Sequence, residues 1–236
     1  MPILTPTRAV GATARAVGWS IPDPVATVTP ADSKQAFPAE LDGGFLADLL
    51  SSMLTHERCG VHLYRSVATR AVSSTLRERF EEFGGETLRH VEILEELIGG
   101  AGGNPAYLSP SARGTEARAS KLLDSTFLLA GSIDPVTAEL GLVEAVFLAE
   151  TIDQANWQAM ARLRDALPEG DLRAAVQRAL EEVAPQEDEH LEWAKIARAR
   201  LISGRLVDLD GESAALERER LDSAMDGWLL DEPTNG

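Results

Sequence analysis

The sequence predicts an all-α protein: a bundle of four long helices, with a long crossover between the second and third that contains an extra helix. Three observations lead there. Aromatic residues make up only 5% of the chain while Ala, Leu, Glu and Arg are abundant, and that balance favours helix over sheet. From Phe45 onward apolar residues recur at steps of three, four and seven, the period of an amphipathic helix. The breaks between these stripes are short, long and short in turn.

Residues 1–40 hold six of the twelve prolines and show no periodicity, so they read as a flexible arm ahead of a bundle expected over residues 41–203. The first helix places Leu46, Leu50, Met53, Glu57, Tyr64 and Ala68 on one face. After a break at Val72-Ser73-Ser74, the capping-box spacing of Thr75 and Glu78 predicts the start of the second helix. That helix carries Leu76, Phe80, Phe83, His90, Leu94 and Leu97 inward and stops at Gly99-Gly100. In the long connection, an apolar piece over about 115–130 with Leu122, Leu123, Phe127 and Leu128 predicts the crossover helix.

Asp134 as N-cap and Pro135 at the first helical position open the third helix, which runs to about residue 167. Its inner stripe is Val143, Val146, Glu150, Trp157 and Ala161. The turn Pro168-Glu169-Gly170 leads to a fourth helix over about 171–202, with Val176, Leu180, Val183, His190 and Leu201 inward. Residues 204–236 read as a tail with a short helix over about 212–230. Short turns force helix pairs to run antiparallel. The middle link is long enough to cross the whole bundle, about 40 Å for helices of this length.

A net charge of -16 argues against a nucleic-acid partner, because phosphates would be repelled, and suits both solubility and the attraction of metal cations. The single cysteine, Cys59, excludes an intramolecular disulfide and reads as a small packing residue. No run of 18 apolar residues exists, so no membrane span is expected. The first 22 residues contain Arg8 and Arg15 and no acid, yet lack the apolar stretch of a secretory signal, and a cytoplasmic location is the expectation.

Laying the second helix pair on the first reveals a repeat. At an offset of 93, Glu57 falls on Glu150 and Tyr64 on Trp157; at an offset of 100, Phe80 falls on Leu180, His90 on His190 and Val91 on Leu191. All bundles share one periodicity, so such a repeat can also arise by chance. What needs a cause is that Glu57, His90, Glu150 and His190 interrupt apolar stripes midway along their helices. An ionised carboxylate in an apolar core costs several kcal/mol unless it is paired or bound to a cation. Few basic residues fall on the inner stripes, so a pair of divalent ions is the simplest compensation. Glu187 stands three residues before His190, so both side chains leave the same helix face.

Together, Glu57, His90, Glu150 and the Glu187-x-x-His190 pair resemble the ligands of the ferritin-like superfamily, which includes ferritins, rubrerythrins and di-iron oxidases. The resemblance covers about residues 42–202. It implies a ferritin-like four-helix bundle holding two Fe ions, or Mn, that react with O2 or peroxide as a ferroxidase- or oxidase-type oxidoreductase. Iron storage in an oligomer and a bundle that binds no metal are the alternatives; a homo-oligomer is expected. No Cys-x-x-Cys is present, so the rubredoxin-type site of rubrerythrins is missing.

The sequence departs from the family pattern in the second helix, where Thr87 occupies the position matching Glu187. Glu86, four residues before His90, is the expected substitute ligand. Gly84-Gly85 and the aligned Pro185 predict a bulge or local unwinding that aims Glu86 and Glu187 at the metals. Tyr64, Asp153 and Trp157 are candidates to touch the ligands rather than the metals. His56 and His62 lie off the inner stripe, and Glu144 falls on another face.

Overall fold

The computed structural model describes residues 42–128 and 134–206; the expected arm at 1–40 and the expected C-terminal helix at 212–230 lie outside the described residues. Within them all regular structure is helical: α1 (Gly43–Arg70), α2 (Ser74–Gly100), α3 (Pro110–Leu128), α4 (Pro135–Ala166) and α5 (Asp171–Leu206). None of these helices is long and apolar enough to cross a membrane.

Local chemistry sets the helix starts. Asp42 caps α1 by accepting from Phe45 N at 3.0 Å, and Asp134 caps α4 by accepting from Thr137 N at 3.1 Å, with Pro135 following as expected. For α2 the cap is Ser73, whose hydroxyl accepts from Leu76 N, so the helix begins just ahead of the expected Thr75. A buried carboxylate from α4 reinforces this start: Glu139 Oε1 accepts from Val72 N at 2.7 Å and from Ser73 N at 2.5 Å. It stands at the positive end of the α2 dipole, a contact across 66 residues that local spacing cannot reveal. The crossover helix also starts earlier than its apolar stripe suggested, because Ser109 caps it through Ala112 N and Pro110 follows.

The helices pair as two hairpins, α1 with α2 and α4 with α5, and the hairpins meet through α1–α4 and α2–α5 contacts. Along α1, hydrogen bonds join Ser52 to Thr115 and Ser66 to Thr126, so α3 runs parallel to α1 and carries the chain back along the assembly. Near the far end of α3 the Arg70 guanidinium covers the otherwise exposed Phe127 ring at 3.8 Å. Leu122 packs against the core, whereas Leu128 is exposed.

Two apolar clusters form the core. One gathers Leu63, Val67, Leu76, Phe80, Phe83, Val143, Val146, Trp193 and Leu201; the other Leu46, Leu50, Met53, Leu54, Leu94, Leu97, Met160, Val176 and Val183. Each fully buried Leu, Phe or Met contributes roughly 1.5–3 kcal/mol. The polar layer lies between the two clusters.

Both α2 and α5 pass through Gly84-Gly85 and Pro185 as uninterrupted α-helix, so the expected bulge is absent. Close packing explains Gly84 instead: a Cβ there would lie 3.1 Å from Tyr64 Cβ. Gly85 faces open space.

Candidate metal centre

The polar layer between the two apolar clusters contains Glu57 of α1, His90 of α2, Glu150 of α4, and Glu187 and His190 of α5, each at most 3% exposed. Ligand atoms of Glu57, His90 and Glu187 all lie within 4.8 Å of one another, and so do those of Glu150, Glu187 and His190. Glu187 belongs to both groups. The imidazoles are nearly parallel, tilted by 27° with ring centroids 6.0 Å apart.

Each of the four residues other than Glu187 has one polar atom tied down and one left free. Trp157 Nε1 donates to Glu57 Oε1 at 2.8 Å, and the Tyr64 hydroxyl donates to Glu150 Oε1 at 2.8 Å. These bonds cross the repeat: the aromatic of each hairpin holds the glutamate of the other. His190 Nε2 lies 2.6 Å from Glu86 Oε2, and His90 Nε2 lies 2.9 Å from Gln186 Oε1. The remaining atoms, Glu57 Oε2, Glu150 Oε2, both Glu187 oxygens and the Nδ1 atoms of His90 and His190, are buried and have no hydrogen-bond partner among the described residues. His90 Nδ1 is 2.8 Å from Glu187 Oε1 and 3.6 Å from Glu57 Oε2, and His190 Nδ1 is 3.4 Å from Glu150 Oε2, all without hydrogen-bond alignment. Buried polar atoms normally have partners. Six unsatisfied oxygen and nitrogen atoms facing one another are a donor set suited to divalent cations. The residues fit a metal pair.

Electrostatics agree with the geometry. Burial alone would push both imidazoles toward neutrality, yet Glu187 and Glu57 raise the His90 pKa to about 10, and Glu150 and Glu86 raise that of His190 to about 9. Burial raises Glu187 to about 7, an effect partly offset by the adjacent His90 imidazole and reinforced by repulsion from Glu150 and Glu57. Asp153 goes well above the carboxylate range through burial and the nearby charges of Glu187, Glu57 and Glu150. Protonated imidazoles offset the carboxylate charge in this cluster.

Of the sequence-expected ligands, Glu57, His90, Glu150, Glu187 and His190 converge, whereas Glu86 sits behind His190 with its carboxylate on the far ring nitrogen. On the regular α2 helix, position 87 faces the centre and position 86 its edge, where the Glu86 side chain is 29% exposed. Tyr64 and Trp157 hold ligand oxygens, and Asp153 is buried beside the cluster with Oδ1 unpartnered among the described residues. His56 is buried too; its Nε2 meets Ala149 O at 3.1 Å and Asp153 Oδ2 at 3.9 Å. His62 is exposed, and Glu144 pairs with Arg198 at 2.9 Å. Burial lifts the Cys59 thiol to about 11, with the Glu116 charge adding to it, which suits a packing role. Gln186 escaped sequence reading, although it matches Glu86 at the same offset of 100 that links the histidines. No protein-family model, curated protein or solved structure matches the chain.

Proposed function

We propose that this chain is a ferritin-like four-helix bundle whose polar layer holds two metal ions, iron or manganese, and reacts with O2 or peroxide as a ferroxidase- or oxidase-type oxidoreductase. One observation carries the reading: six partnerless ligand atoms, from four helices, converge in a dry interior with a single carboxylate common to both groups. Short connections within each hairpin and a lengthwise crossover through α3 support the bundle assignment. Glu57 and His90 would hold one ion, Glu150 and His190 the other, and Glu187 both.

When bound, a ferrous pair supplies two electrons to an oxygen species. The chain's own residues prepare for that chemistry. Trp157 and Tyr64 fix the free oxygens of Glu57 and Glu150 toward the gap, and the bonds at Nε2 aim both Nδ1 lone pairs at it. Phe83, packed 4.1 Å from the His190 ring, and Trp193 beside it keep water from that side. Flexible carboxylates tolerate the change in metal charge that oxidation brings.

Anaerobic loading with Fe(II) followed by metal analysis tests this: two ions per chain are expected, with rapid oxidation on admitting air or hydrogen peroxide. Iron and manganese at background after loading would leave a bundle that binds no metal.

A further inference from the structure

Behind the two imidazoles, on the side away from the gap, one hydrogen-bond chain joins them. His190 Nε2 lies 2.6 Å from Glu86 Oε2, Gln186 Nε2 donates to Glu86 Oε1 at 3.3 Å, and Gln186 Oε1 lies 2.9 Å from His90 Nε2. Its polarity follows from a single group. An ionised carboxylate only accepts, so His190 must donate from Nε2 and Gln186 must turn its amide nitrogen toward Glu86. The Gln186 carbonyl then faces His90, which must donate from Nε2 as well. Glu86 is the member nearest water, its side chain 29% exposed while both histidines are at most 1% exposed, so the negative end of the chain stays hydrated.

We propose that Glu86 is the positioning residue for both halves of the centre, holding His190 directly and His90 through Gln186 by their Nε2 protons, so that each ring turns Nδ1 toward the gap. The consequence for metal binding rests on the metal reading given above; the chain itself belongs to the protein with or without metal. Carboxylate backing also distinguishes the two imidazoles. His190 is hydrogen-bonded to a charge and His90 to a neutral amide.

The test uses full-length protein labelled with 15N-histidine. In the metal-free wild type the Nε2–H protons of His90 and His190 are expected as two protected NMR signals. Glu86→Ala should remove or broaden both, whereas Gln186→Leu should affect that of His90 alone. Glu86→Gln preserves volume but offers one carbonyl in place of two acceptors, so it should keep the His190 signal and loosen that of His90. Cobalt(II) titrations should follow the same pattern: a 10–100-fold weaker affinity at both positions for Glu86→Ala and at one for Gln186→Leu. Circular dichroism confirms that each variant is folded. An unchanged His90 signal in Glu86→Ala, or a Gln186→Leu variant that disturbs both histidines or neither, overturns the proposal. A wild type showing both signals but taking up no cobalt overturns the metal reading and leaves the hydrogen-bond chain standing.

Discussion

The α1–α2 hairpin and the α4–α5 hairpin bring matching glutamates and histidines to the polar layer and differ in the acids and amides placed beside them. Glu57 and Glu150 correspond, as do His90 and His190, and each hairpin lends one aromatic donor to the other's glutamate. Where α4 and α5 place Asp153 and Glu187, α1 and α2 place Gly60 and Thr87. A Cβ on Gly60 would lie 3.1 Å from Thr87 Cγ2, so these positions form a close helix contact instead of carrying charge. Thr87 spends its hydroxyl on Phe83 O at 2.8 Å. Behind the histidines the asymmetry reverses, with the acid Glu86 in the first hairpin and the neutral Gln186 in the second. On the proposed reading one shared carboxylate serves both ion positions, and a second at position 87 would add buried charge with no further cation to meet it.

The most severe way to break this arrangement is at the shared residue. Glu187→Gln should cost both ions in metal analysis, whereas Glu57→Ala should first weaken the ion on its own side. Restoring the symmetry is nearly as severe: Thr87→Glu should destabilise the metal-free protein by about 3–5 kcal/mol in urea unfolding, since it buries an uncompensated carboxylate. Added metal should recover part of that loss.

Stability against pH separates the hairpins further. The raised pKa values of His90, about 10, and His190, about 9, stabilise the metal-free fold fully below the ordinary 6.5, and this is lost as pH rises toward 10. Glu187, raised to about 7, penalises folding as pH climbs from 4.5 through 7, when it must ionise among other carboxylates. The metal-free melting temperature should therefore fall across pH 4.5 to 10, and Glu187→Gln should flatten the lower part and, by removing a carboxylate that raises His90, some of the upper part as well. Metal-loaded protein should show the opposite slope near neutrality, because ligation requires the protons to leave.

Smaller effects sharpen the crossed pairing. Tyr64→Phe and Trp157→Phe each free one glutamate oxygen, and each should weaken metal affinity about 10–100-fold in titration calorimetry. A large difference between them would mean the two aromatics are not equivalent. The smallest contrast lies within α2 itself. Gly84→Ala presses on Tyr64 and should lose about 1–3 kcal/mol, while Gly85→Ala, facing open space, should gain about 1 kcal/mol in thermal unfolding.

The sequence by itself determined the helices, their inward faces and the residue types that meet at the centre. Apolar periodicity, Asp134-Pro135 and Gly99-Gly100 are local signals, and the repeat relates His90 to His190 without any coordinates. Local signals also misled where a distant residue intervened. Ser73 caps α2 while Glu139 of α4 holds the amides of Val72 and Ser73 ahead of it, and Gly84 serves contact with Tyr64 rather than a bulge. Only the tertiary structure decided which atom of each ligand is free. It also moved Glu86 behind His190, brought in Gln186 and crossed Tyr64 and Trp157 between the hairpins. Spacing along one helix fixes a face to within a turn, but the direction of a hydrogen bond depends on side chains that approach from another helix.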